Sequence, residues 1–169
     1  MFGLDVEVQK SGAFHIEETN AFVVSFYKNQ DGVIIGALIL NIAAAASFSG
    51  ALSDLPEELI QGIIESSEFT KEMWEDLCEV LNITSQLFTS YEGNTISVEE
   101  VYHHPNTLSE ESYKVLLDST DPLVFNLSIS EYGGGLITVL DAQNNSSFAS
   151  EKIQDYKADT KQVSPTKNF

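Results

Sequence analysis

The stretch from Val33 to Leu52 reads VIIGALILNIAAAASFSGAL and contains no charged residue. It is about long enough to span a bilayer, so that reading has to be met first. Asn41, Ser47 and Ser49 interrupt it, Gly36 and Gly50 lie inside it, Asp31 and Asp54 flank it, and no lysine cluster stands at either end. A spanning helix carries an excess of basic residues on one side and few such breaks. Two elements in series fit better. Val33 to Ile42 is apolar on both faces, as a central strand covered by helices would be. The alanine run Ala43 to Ala46, of strong helix propensity, then opens a helix that ends near Leu52.

Working outward toward the N-terminus, Asn29-Gln30-Asp31-Gly32 is a turn signal, and Asp-Gly ahead of an apolar run predicts a tight hairpin. Its first strand is Ala21 to Tyr27, rich in Val, Phe and Tyr. Val6, Val8, Phe14 and Ile16 alternate around Ser11-Gly12 and predict two further short strands. Toward the C-terminus, Asp54-Leu55-Pro56-Glu57-Glu58 starts a helix with an acidic cap and an early proline, running to about Glu65. Ser67 or Thr70 then starts a longer helix. Tyr91-Glu92-Gly93-Asn94 is a turn, Thr95 to Tyr102 a strand, and Ser109 to Leu117 a short helix. Leu123 to Ser130 and Leu136 to Leu140 form a second hairpin, with Tyr132-Gly133-Gly134-Gly135 as its turn. Neither a lysine nor a helix start follows those glycines, so they are not a phosphate loop. This order predicts an α+β fold, an antiparallel sheet with helices packed on it, over residues 1–141. Residues 142–169 are polar with sparse apolar positions and predict a disordered tail.

The 169 residues carry a formal net charge of −18, and all eight basic residues are lysines. A field of that sign repels nucleic acid and anionic membrane, so neither is an expected partner. Without arginine the fork donor that clamps phosphate is missing, and any cation for phosphate chemistry must come from a metal or a partner. The ordinary explanation of such acidity is solubility or adaptation to salt. Cys78 is the only cysteine, which excludes an intramolecular disulfide. Met1 to Asp5 shows neither a basic nor an apolar leader pattern, and the expectation is a cytoplasmic protein. His103 and His104 lie near Glu99, Glu100, Glu110 and Glu111. Adjacent histidines on a strand end point to opposite sides, so no metal site and no cofactor of the chain's own are expected. No spacing of Ser, His, Asp or Cys points to a nucleophile.

The long helix, Lys71 to Phe88, reads KEMWEDLCEVLNITSQLF. At helical spacing Met73, Trp74, Leu77, Val80, Leu81, Thr84, Leu87 and Phe88 share one arc and should face the core. Cys78 lies beside that arc and reads as a small buried hydrophobe. Glu75, Glu79, Asn82 and Gln86 form a polar stripe on the opposite side. Such a stripe is usually a solvated face. Glu75 and Glu79 are like charges one turn apart, mildly destabilising, which hints at a cationic partner.

Glu79-Val80-Leu81-Asn82-Ile83, with an acidic residue four places earlier at Glu75, resembles the Asp-x-x-x-Glu-x-x-Asn signature of the CheC/CheX-type chemotaxis phosphatases. With a single signature the chain is more similar to CheX than to CheC. The elements around it also match that family: a hairpin (Ala21 to Ile42), a small-residue helix (Ala43 to Leu52) and a linker helix (Leu55 to Ile64) before the signature, then Ile96-Ser97-Val98 and a closing pair of strands after it. The resemblance implies a phosphatase acting on a phosphorylated response regulator such as phospho-CheY, whose receiver domain would hold the Mg2+ and the phospho-aspartate. Asn82 would position the attacking water, and Glu79 would pair with the partner's lysine. Glu75 or Gln86 would make outer contacts. The family usually has a glycine shortly after the asparagine, and here Thr84-Ser85-Gln86 follow. That departure keeps an alternative open: a non-catalytic CheX-like module for protein binding or homodimerisation.

Overall fold

Asn29 builds the first hairpin. Its side-chain oxygen accepts hydrogen bonds from the backbone N–H of Asp31 at 3.0 Å and of Val33 at 2.9 Å, and Gly32 takes a φ of +78°. This is the local bond an asparagine offers a turn, and the glycine supplies the left-handed step. The computed structural model describes residues 5–12, 22–88, 97–102, 107–119 and 121–141. Phe14, His15, Ile16, the turn at 91–94, His103, His104 and the tail at 142–169 lie outside the described residues.

Six strands are described: β1 (Val6–Lys10), β2 (Phe22–Lys28), β3 (Ile34–Asn41), β4 (Ser97–Tyr102), β5 (Leu123–Ile129) and β6 (Gly133–Asp141). They form one sheet in the order β1-β5-β6-β3-β2-β4, and every neighbouring pair is antiparallel. Four helices join them: α1 (Ile42–Leu52), α2 (Glu57–Ser66), α3 (Lys71–Thr84) and α4 (Glu110–Asp118). The fold is α+β with an antiparallel sheet, as the order of elements predicted. The side chains of β2 and β3 alternate between two cores. Val23, Tyr27, Leu38 and Leu40 pack with Ala44, Ala45, Leu77 and Leu81 under α1 and α3. Phe22, Val24, Phe26, Ala37 and Ile39 pack on the other face with Leu116 of α4. β3 is therefore buried on both sides, which is why its sequence shows no polar alternation.

The three glycines are not the turn of the second hairpin. That turn is Ser130-Glu131-Tyr132, with Glu131 at a φ of 70°. Gly133, Gly134 and Gly135 belong to β6 and pair with Ile129, Ser128 and Leu127. Close approach of neighbouring backbone, α1 at Gly135 and β5 at Gly134, is the reason. A Cβ on Gly135 would collide with Asn41 Oδ1 and the backbone nitrogen of Ala44, and one on Gly134 with the carbonyl of Leu127. Asn41 Oδ1 accepts from Ala44 N at 2.9 Å, capping α1, and from Leu136 N at 3.0 Å, tying that cap to β6.

One helix start departs from expectation and another follows it. Asp54 does not cap α2. It takes a φ of 51°, and its carboxylate accepts a 2.6 Å hydrogen bond from the Tyr132 hydroxyl. Pro56 occupies the cap position without a side-chain bond, and Glu57 and Glu58 favour the first turn through the helix dipole. Thr70, one of the two residues expected to start α3, does cap it, accepting from Met73 N at 3.3 Å. Among the described residues no helix is long and apolar enough to cross a membrane.

Candidate functional site

The buried arc of α3 decides which of its side chains remain free. Met73, Leu77 and Leu81 are buried against α1 and the sheet, and Trp74, Val80, Thr84 and Phe88 are half-buried beside them. Trp74 meets the ring of Phe69 edge-on at 6.0 Å. Cys78 is half-buried, less enclosed than expected, because it sits at the margin of the arc. Burial pushes its thiol pKa up and the Glu75 charge pushes it further, so it is a thiol and not a reactive thiolate at neutral pH.

With that arc fixed, Glu75, Glu79, Asn82 and Gln86 all come out exposed. Glu75, Glu79 and Asn82 are on α3 itself. Gln86 lies one step beyond it, in the 3-10 turn Ser85–Phe88 that tightens the end of the helix. Glu75 forms an ion pair with Lys71 at 3.1 Å, with side-chain exposures of 63% and 90%. A pair that open to water contributes at most a few tenths of a kcal/mol, so a cation from outside can displace Lys71. Three residues apart on a helix, Glu79 and Asn82 have Cβ atoms about 5–6 Å apart and project to the same side.

The helix is held at several points along its length. Thr70 caps its start, the Ser53 hydroxyl donates to the Asp76 carboxylate, and the last turn is pinned from the sheet. There the Tyr27 hydroxyl donates to the carbonyl oxygen of Leu81 at 3.1 Å and shares a 2.7 Å hydrogen bond with Thr84 Oγ1. Thr84 Oγ1 also lies 2.7 Å from Leu81 O, so the two hydroxyl protons are shared among these three contacts. The Tyr27 ring stacks on Phe88 with centroids 4.5 Å apart. Burial raises the Tyr27 pKa, partly offset by the Thr84 hydroxyl, so the phenol keeps its proton well past neutral pH. Asn82 therefore projects from a turn whose backbone is fixed by side chains on β2 and the 3-10 turn.

Two features of this surface have no role assigned to them by the sequence pattern. One is the Tyr27 anchor. The other is Ile83, 58% exposed beside Asn82. The available signal was the run Asn82-Ile83-Thr84, three indifferent helix formers in a row at the end of a helix.

Chemically the stripe offers an acceptor (Glu79) next to a group that both donates and accepts (Asn82). Among the described residues no cluster of His, Cys, Asp or Glu could hold a metal. The face is suited to engaging two adjacent groups of one partner.

No known family matches the chain by sequence, and no curated protein does. Solved structures do resemble it. The FliM middle domain from H. pylori superposes with a TM-score of 0.52 at 10% identity, covering 83% of this chain and 78% of that one. A FliM–SpeE complex from H. pylori gives a TM-score of 0.49 at 11% identity, over 95% of this chain and 80% of that one. CheX in a CheX–CheY complex with BeF3 and Mg2+ from Borrelia burgdorferi gives 0.40 at 12%, over 80% and 82%. At these identities the likeness is one of fold. The FliM domain carries it, and a CheX is among the neighbours.

Proposed function

We propose that this chain is a CheX-like phosphatase acting on the acyl phosphate of a response-regulator receiver domain. The observation that carries the reading is the joint exposure of Glu79 and Asn82, one turn apart on a helix anchored along its length. The receiver supplies the phospho-aspartate and the Mg2+ that neutralises the phosphoryl oxygens. Asn82 enters that site and holds a water in line with phosphorus, its amide oxygen accepting a hydrogen bond from the water while its NH2 donates one to a neighbouring oxygen. Water oxygen bonds to phosphorus as the bond from phosphorus to the aspartyl oxygen breaks; the electron pair of that bond stays on the receiver's aspartate carboxylate, and inorganic phosphate leaves carrying the water's protons. Glu79 pairs with a lysine of the receiver and sets the register. Glu75 and Gln86 contact the rim. The lack of arginine fits this division, because the partner provides the charge stabilisation.

The test is the decay of acyl phosphate on a Mg2+-loaded CheY-type receiver, with the wild type and with Asn82→Ala. The expected result is acceleration by the wild type and a loss on the order of 100-fold with Asn82→Ala, typical of removing one positioned polar group. Equal decay with wild type, with the variant and with no added protein overturns it.

A second reading has its own observation: Thr84-Ser85-Gln86 stand where a glycine is usual, running from the last residue of α3 into a tightened 3-10 turn. It makes the chain a non-catalytic docking or dimerisation module. Calorimetric binding of a receiver, or a dimer in sedimentation, without hydrolysis is what it requires.

A further inference from the structure

We propose that Ile83 is the apolar anchor of the α3 docking face, and that the face takes a protein surface in which a cationic side chain stands beside an apolar shelf. This rests on the reading of α3 as the receiver-binding face and specifies the chemistry of the partner.

Lone exposed apolar residues are common and ordinarily mean nothing. Three observations set Ile83 apart. It lies four residues after Glu79, so it neighbours that carboxylate on the helix surface, at the flank of the stripe that also carries Asn82. It is 58% exposed although the arc of Met73, Leu77 and Leu81 next to it is buried, so core packing does not explain it. Its backbone belongs to the turn that Tyr27 and Thr84 fix, so the side chain is presented with little freedom left to lose. A β-branched residue on an open helix face also costs helix propensity without any gain in the free protein. Local choices that conflict with the fold tend to mark function.

Charge selects the occupant. Ile83 is next to Asn82 and within a turn of Glu79, with Glu75 and Glu72 farther along the exposed side. An acidic partner is repelled, and a purely apolar one leaves Glu79 desolvated without a counter-charge. A lysine-bearing surface with an adjoining apolar patch satisfies both the carboxylate and the isoleucine. Ile83 then contributes to binding without touching the reacting phosphorus.

The experiment compares Ile83→Ala, Ile83→Val and Asn82→Ala on a Mg2+-loaded, phosphorylated CheY-type receiver, with affinity for the BeF3-activated receiver measured by calorimetry. Ile83→Ala should raise KM and Kd about tenfold, equivalent to about 1.4 kcal/mol, with kcat unchanged. Ile83→Val should recover most of that loss, and Asn82→Ala should lower kcat with Kd nearly unchanged. Thermal unfolding of all three should match the wild type. An unchanged Kd for Ile83→Ala, with Asn82→Ala still inactive, overturns the anchor alone. An equal fall in kcat for both variants overturns it too, by making Ile83 part of the positioning machinery. Wild type that neither binds nor dephosphorylates the receiver overturns the phosphatase reading and this inference with it.

Discussion

Helices α1 and α3 lie on the same face of the sheet and were built by opposite means. α1 has small residues almost all round. Ile42, Ala44, Ala45, Ala46, Ser47, Ser49 and Gly50 are all buried, and glycines of β6 make room for it. α3 buries three large side chains, Met73, Leu77 and Leu81, and leaves a full polar side open. The first helix uses most of its circumference for packing, so most changes to it are changes to the fold. The second separates its tasks by angle, so its open side is free to be chosen for a partner. In a chain without a cofactor-like motif, that division is the most informative property a helix can have.

The division breaks most visibly at Leu81. Leu81→Ala removes a fully buried side chain that joins α3 to the sheet, and should cost about 3 kcal/mol, read from the urea midpoint. Gly135→Ala adds a single methyl under α1, against the Asn41 side chain and backbone that cannot rotate away, and should cost about 2 kcal/mol in the same measurement. Asn41→Ala removes an acceptor shared by two N–H groups and should cost about 1–2 kcal/mol. Faster hydrogen exchange at the amides of both Ala44 and Leu136 identifies the cause.

Tyr27→Phe keeps the stack on Phe88 and loses the hydroxyl, for about 1 kcal/mol at neutral pH. Its pH dependence has a definite sign. The folded pKa is raised, so the folded state holds the phenolic proton more tightly than the unfolded chain does. The stabilisation is complete below the unfolded pKa and is lost as pH rises from about 10 through the folded value. Wild type should therefore lose stability above pH 10 more steeply than Tyr27→Phe, in paired denaturant titrations. Smallest of all, Asn82→Ala should change stability by less than about 0.5 kcal/mol. A large loss there would mean that the open side of α3 is structural after all, and the contrast with α1 would fail.

Much of this was legible beforehand, and for identifiable reasons. Asn29-Gln30-Asp31-Gly32 and the alternation beyond it specify the first hairpin locally. Periodicity alone assigns Met73, Leu77 and Leu81 inward and Glu75, Glu79, Asn82 and Gln86 outward. What was illegible is long-range. Gly133-Gly134-Gly135 reads as a turn because glycine marks turns and close approaches alike, and only the positions of α1 and β5 tell them apart. Asp54 reads as a cap until Tyr132, far along the chain, claims its carboxylate. The Tyr27 anchor on Leu81 joins residues 54 apart, and no local pattern announces it. Ile83 stands in the signature run, but one apolar residue outside an arc carries no periodic signal of its exposure.

The shared acceptor on Asn41 also sets a timetable. Its two hydrogen-bond donors are three and 95 residues farther along the chain. At about 5–20 residues per second of synthesis, the α1 cap waits roughly 5–20 seconds for its second donor to be made. During that interval β3, the most apolar strand, has its β2 neighbour but not β6. Nascent chains arrested before Leu136 should be cut readily by protease within α1, and those released beyond Asp141 should resist.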